Sequence, residues 1–173
     1  YSDLVITGQS DLSDRSLIWS TRLPAYLALH SARPLLVIPE GDGPVTIPGR
    51  SIVIGWNATA EASRAVAGAL PLLVRARRVQ IIVLNPRQHY GQHGQEPGAD
   101  LATYLARHGV RAEVSRSETS EECGTALCRL AQDSGADLIV AGAFGRSRFH
   151  EWVLGGTTHS LLSQSRLPLL LGH

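Results

Sequence analysis

Short apolar runs alternate with helix-period segments along most of the chain. Residues 51–56 (SIVIGW), 79–84 (VQIIVL) and 138–141 (LIVA) are brief, rich in β-branched side chains and bounded by turn residues, so they predict buried strands. Residues 110–114 predict a shorter one. Between them, Ala62, Ala65, Val66, Ala69 and Leu73 recur at helical spacing, with Thr59 placed to cap the helix and Glu61 in its first turn. Leu101, Tyr104, Leu105 and His108 make a second helical stripe, ended by Gly109. Thr119 with Glu122 has the spacing of a capping box, ahead of a helix face made of Cys123, Ala126, Leu127 and Leu130. Residues 158–164 are amphipathic, and residues 166–171 (RLPLLL) predict a last strand.

Strands separated by helices imply right-handed crossovers and a parallel sheet with helices on both faces. Part of this pattern occurs twice. Residues 3–8 (DLVITG), a short helix over 23–31 and the strand 34–39 (PLLVIP) repeat the order of 137–142 (DLIVAG), a helix and 166–171. The first 39 residues therefore read as the last third of a unit, and residues 51–173 as a complete one. Residues 40–50, within a stretch carrying three prolines and three glycines (39–49, PEGDGPVTIPG), read as the linker. In the partial copy Gly8 has no second glycine three positions further on, where Asp11 stands, so no phosphate site is expected there.

The chemistry concentrates in residues 136–158, ADLIVAGAFGRSRFHEWVLGGTT. A strand runs into Gly142-x2-Gly145-x9-Gly155, followed by Gly156, Thr157 and a helix. Glycine lets a backbone approach an anion closely, and a helix N-terminus offers unpaired N–H groups with partial positive charge. A phosphate group suits such a segment; a tight strand-to-helix turn would use the same glycines.

This glycine spacing resembles that of the universal stress protein family, whose nucleotide-binding members carry G-x2-G-x9-G followed by Ser or Thr. The ending Arg166-Leu-Pro-Leu-Leu-Leu171 is similar to the family's last strand. The resemblance implies a doubly wound, Rossmann-like, five-stranded parallel sheet of order 3-2-1-4-5, with the partial copy pairing through the last strand. Residues 35–38 are then expected antiparallel to 168–171, since universal stress proteins pair through their last strands and an uncovered apolar edge is an aggregation hazard. In that order the strand ends at Gly55, Trp56 and Asn57 meet Gly142 and Gly145 at the reversal point, where such sheets bind ligands.

The same resemblance implies an adenine nucleotide, ATP or AMP, held by Gly55, Trp56, Asn57, Gly142, Gly145, Gly155, Gly156 and Thr157, with Leu84 on the adenine side. Two positions depart from the family pattern. Asn57 stands where the family has Asp, which removes a carboxylate that would help hold Mg²⁺ or Mn²⁺. Gly156 stands where the family has Ser or Thr, which moves the hydroxyl one place on, to Thr157. Trp56 is large for a ligand contact and can pack beneath the sheet edge instead.

Composition narrows the remaining chemistry. All 16 basic residues are Arg, which excludes a Walker or Schiff-base lysine within this sequence. The formal charge of +1 gives no broad footprint for nucleic acid or anionic lipid. Cys123 and Cys128, five positions apart, point about 140° from one another on a helix and read as small apolar fillers. His89 and His93 lie in a Gly- and Pro-bearing loop, unsuited to a rigid metal pair. Arg146 and Arg148 flank the motif and offer bidentate phosphate contacts or solvated loop charges, and His150 with Glu151 leaves an acid–base role open. No run approaches the ~18 apolar residues of a membrane span and no signal peptide is visible, so a cytoplasmic protein is expected. With no Met anywhere, the sequence is expected to be truncated, processed or incomplete. Three functions stay open: a regulatory stress-response module binding an adenine nucleotide, a relative acting by dimerisation and partner contacts alone, and an ATP-hydrolysing enzyme.

Overall fold

The computed structural model describes residues 2–9, 23–41, 48–89 (88 and 89 by backbone alone), 96–145 and 156–173. The apolar runs become β1 (Val5–Gly8), β2 (Leu35–Ile38), β3 (Ser51–Gly55), β4 (Arg78–Leu84), β5 (Ala112–Ser117), β6 (Leu138–Gly142) and β7 (Leu169–Gly172). The helix-period segments become α1 (Leu23–His30), α2 (Ala60–Leu73), α3 (Ala99–Arg107), α4 (Cys123–Asp133) and α5 (Gly156–Gln164). One further 3-10 turn, Pro86–His89, follows β4.

All seven strands join one sheet of order β1-β2-β7-β6-β3-β4-β5. Within residues 51–173 this is the expected 3-2-1-4-5 order, every pair parallel. The sheet does not stop at five strands, because β2 runs antiparallel to β7 and carries β1 beyond it. Leu35 faces Leu171, Leu36 faces Leu170 and Val37 faces Leu169, which is the strand pairing expected of the partial copy.

Strand side chains alternate between two cores. Ile52, Ile54, Ile81, Leu138, Val140, Leu36 and Leu170 pack with α2 and α3. Val53, Ile82, Ile139, Leu35, Leu169 and Leu171 pack with α1, α4 and α5. Burial on both faces explains why the central strands are continuously apolar. None of the helices among the described residues is long and apolar enough to cross a membrane.

Helix α2 lies unusually close to the strands. A Cβ on Gly172 would strike the Ala65 backbone, and one on Gly68 would strike the Pro34 ring. Ala62, Ala65 and Ala69 continue this small-residue face and are buried.

Three sequence expectations need correction. The third strand of the complete unit runs over Ala112–Ser117, not 110–114. Val110 is still part of the helix stop, its N–H donating to the Leu105 carbonyl at 3.0 Å after Gly109 has turned to φ +78°. On α3, Leu101 and Leu105 are buried, but Tyr104 is exposed and meets the His108 ring at 4.7 Å. Helix α4 starts at Cys123, so its buried face is Ala126, Leu127, Cys128 and Ala131 rather than one beginning at Cys123.

Asp137 ties the linker's end to β6. Its carboxylate accepts N–H bonds from Gly49 (2.9 Å), Arg50 (2.9 Å) and Ser51 (3.0 Å), and its own N–H donates to the Ser51 carbonyl at 2.8 Å. Hydrogen bonds to a charged group contribute more than neutral ones. Asp137→Ala should therefore lower the unfolding free energy by about 2 kcal/mol. A urea midpoint unchanged from wild type would show that water satisfies these three donors equally well.

Candidate functional site

The strand order reverses between β3 and β6, neighbours whose crossovers lead to opposite halves of the sheet. Crevices at such points lie beyond the carboxyl ends of the strands. Gly55 is level with Ala141 across the pair, so residues 55–57 and 142–145 leave the sheet side by side. Gly55 is also level with Ile82 on β4, whose last residue is Leu84. The structure thus brings Gly55, Trp56, Asn57, Leu84, Gly142 and Gly145 to one edge, and α5 begins there with Gly156 and Thr157. Gly155, Arg146, Arg148, His150, Glu151 and His93 lie outside the described residues, and His89 is described by backbone alone.

These residues are not equivalent. A Cβ on Gly142 would stand 2.5 Å from the Ala62 nitrogen and 2.9 Å from the Glu61 carbonyl carbon, so the start of α2 fills the space over it. A Cβ on Gly55 would strike Leu127 of α4. Gly145 is different: no described residue lies within 4 Å of its missing Cβ. The loop reaching it is pinned on both sides. The Ala143 N–H donates to the Gly172 carbonyl at 2.8 Å, the Phe144 N–H donates to the Thr158 hydroxyl at 3.1 Å, and the His173 ring lies 3.0 Å from the Ala143 carbonyl. Phe144 takes a left-handed backbone, φ +54°, to make this turn.

Trp56 is a packing residue: its N–H donates to the Ile82 carbonyl at 2.9 Å and its half-buried ring joins the core beneath α2 and α3. Asn57 is exposed, but its Oδ1 accepts from the Thr59 hydroxyl at 2.9 Å and the Thr59 N–H at 3.4 Å. Thr59 caps α2 as its position predicts, accepting from the Ala62 N–H at 3.3 Å. Leu84 is half-buried against the core beneath α4 and α5. No group of three or more His, Cys, Asp or Glu among the described residues is placed to hold a metal ion.

Glu122 was misplaced by sequence reasoning, which made it the third residue of a helix capped by Thr119. Asn85 decides the matter. Its buried Oδ1 accepts the Thr119 N–H at 2.7 Å and holds that segment at the end of β4. The helix then begins three residues later, and Glu122 itself is the cap, accepting from the N–H groups of Gly124 (2.9 Å) and Thr125 (3.1 Å). Partial desolvation pushes this carboxyl's pKa upward, but hydrogen bonds from the Ser160 hydroxyl, the Thr125 N–H, the Thr157 hydroxyl and the Gly124 N–H outweigh it and hold it below the usual carboxylate value. Burial, and secondarily the Glu122 charge, push the Cys123 thiol up. The pair of glutamates before the helix was the available signal, but only the distant Asn85 contact shows which residue caps.

Residues 49–172 match the model of the universal stress protein family. Among curated proteins, a universal stress protein of Synechocystis sp. is 33% identical over 85 residues, which is 46% of this chain and 29% of that protein. The chain therefore spans under a third of that relative. Among solved structures, a universal stress protein from Archaeoglobus fulgidus DSM 4304 is similar with a TM-score of 0.70 at 18% identity, covering 97% of this chain and 61% of that one. A universal stress protein from Archaeoglobus fulgidus in complex with dAMP is similar with a TM-score of 0.55 at 15% identity, covering 71% of this chain and 97% of that one.

The contrast between the two motif glycines is directly measurable. Gly142→Ala forces α2 away from β6 and should destabilise the fold by roughly 1–3 kcal/mol, the usual range for overpacking. Thermal unfolding followed by circular dichroism would detect this as a lowered midpoint. A midpoint equal to wild type would mean that α2 shifts freely and that Gly142 is not held by packing.

Proposed function

The chain belongs to the universal stress protein family, and from that premise we propose that residues 51–173 hold an adenine nucleotide, ATP or AMP, at the carboxyl edge of β3, β4 and β6. The role is that of a regulatory stress-response module rather than a catalyst. The observation that carries this reading is the space at Gly145 that no described residue fills, on a loop anchored to β7 and α5 that leaves β6 beside the end of β3. Close backbone approach to a phosphate needs such a position. The Archaeoglobus fulgidus relative in complex with dAMP supports the class of ligand. Leu84 would line the adenine side, and Gly156 and Thr157 at the start of α5 would lie toward the phosphates.

Residues 1–39 are, on the same reading, the last part of a further unit of this kind. The order β1–α1–β2 repeats β6–α5–β7, and the likeness to one solved structure over 97% of the chain extends into these residues. The antiparallel β2–β7 pair would then be the contact between two units.

A second reading has its own observations. Gly55 and Gly142 are explained by α4 and α2 packing, so a family member that binds no nucleotide and acts through strand pairing and partner contacts would need the same glycines. Calorimetric titration of the full chain with ATP and AMP separates the two. Under the nucleotide reading the wild type binds, and Gly145→Val abolishes binding without lowering thermal stability, because its side chain enters space that no described residue fills. Equal affinity in the two proteins would reduce Gly145 to a turn residue. Absence of binding in the wild type would select the second reading.

Metal dependence gives a separate check. With Asn57 in place of a carboxylate, ATP affinity should change little when Mg²⁺ or Mn²⁺ is added. Asn57→Asp should make binding respond clearly to either ion. A wild type that binds only with a divalent ion present would overturn the argument from charge.

A further inference from the structure

The first turns of α4 and α5 meet at the carboxyl edge of the sheet. Gly124 is buried there, and a Cβ on it would stand 2.5 Å from the Thr157 carbonyl oxygen and 2.9 Å from the Ser160 Cβ. Two helix N-termini this close each present unpaired N–H groups and partial positive charge, so an anion between them is strongly favoured. Glu122 supplies that anion from within the chain. Its carboxylate accepts from the Gly124 and Thr125 N–H groups of α4 and stands beside the first turn of α5. Its Oε1 lies 3.5 Å from where a Cβ of Gly156 would project.

Two further facts fix the electrical character of this spot. Among the described residues no Arg forms an ion pair with Glu122; the nearby Arg129 is engaged by Glu121 at 3.6 Å and Asp133 at 3.6 Å. Glu122 is also exposed, so its charge is not sealed beneath the two helices. The start of α5, at the end of the glycine motif, therefore has beside it a carboxylate that no described Arg neutralises.

We propose that Glu122 sets ligand specificity: it fills the start of α5 with a built-in carboxylate, so the crevice takes an adenine ligand of low charge, of the AMP class, in preference to ATP. This rests on the nucleotide reading above. The single phosphate of AMP would reach the backbone around Gly145. The two further phosphoryl groups of ATP would extend toward the start of α5 and the Glu122 carboxylate, where like charges repel.

The test is calorimetric titration of the full chain with adenosine, AMP and ATP, in wild type and in Glu122→Gln. The variant keeps an oxygen for the Gly124 and Thr125 N–H groups and removes the charge. The wild type should bind AMP more tightly than ATP, and E122Q should move the ATP-to-AMP affinity ratio toward ATP by about tenfold or more. A wild type that binds ATP at least as tightly as AMP, or a ratio that does not move, overturns the role of Glu122 and leaves the nucleotide reading standing. So does a variant that weakens adenosine as much as it alters ATP, since distortion rather than charge would then be responsible. If only the variant binds ATP and the wild type binds none of the three, Glu122 is upheld as the excluding group and the proposed wild-type function falls. If neither protein binds any of them, both fall.

Discussion

Helix α2 occupies its place because the chain beneath it has no side chains to keep it off. Gly142 at the end of β6 accommodates the Ala62 backbone, Gly172 at the end of β7 accommodates Ala65, and Gly68 on the helix accommodates Pro34 before β2. One helix thereby spans three strands from two halves of the sequence. The close approach is what joins residues 1–39 to the rest on that face, and it also fixes where the chain leaves β6. The loop that follows Gly142 starts from a rigid point, and no described residue lies within 4 Å of the missing Cβ of Gly145.

The β2–β7 pair depends on the same constraint. Neither strand could be an exposed edge, since Leu35, Leu36, Val37, Leu169, Leu170 and Leu171 are all buried. Side chains alternate across a strand, so a slip of one residue would send Leu36 and Leu170 into the wrong core. With α2 covering one face and α1, α4 and α5 the other, the register Leu36 opposite Leu170 is the one that keeps both cores filled. The sequence made this pairing legible through two apolar strands of matching length that both need covering, together with the resemblance to a family that pairs through its last strands.

What the residue pattern did not disclose depends on contacts remote in sequence. Strands buried on both faces announce themselves, as β3, β4 and β6 do. The edge strand β5 does not: its half-buried AEVSRS reads as polar, while the neighbouring Val110 is apolar only because it closes the end of α3. The spacing of Thr119 and Glu122 reads as a helix capped by Thr119, and only the distant Asn85, which takes the Thr119 N–H, moves the cap to Glu122. Trp56 reads from the sequence both as a nucleotide contact and, by its size, as a packing residue, and its ring joins the core beneath α2 and α3. Gly142 and Gly145 look alike within the motif, and only what stands opposite each one separates a packing glycine from an open one.

A parallel sheet also concentrates charge. Every crossover helix in it starts at the carboxyl edge of the strands, so the positive ends of α2, α3, α4 and α5 gather on the side where the crevice lies. How those ends are satisfied decides what the edge can receive. At α2, Thr59 takes the Ala62 N–H and spends its own hydroxyl on Asn57. At α3 the cap is Gly98, which has no side chain to offer, and Asp100 supplies the negative charge in the first turn. At α4 the Glu122 carboxylate accepts the Gly124 and Thr125 N–H groups, and its Oε1 lies 3.5 Å from where a Cβ of Gly156, the first residue of α5, would project. Part of the positive potential that the fold creates is therefore taken up by the chain's own acceptors. At Gly145 no described residue covers the backbone. Selectivity at such an edge comes from which helix starts the sequence leaves unfilled, and the fold itself does not determine it.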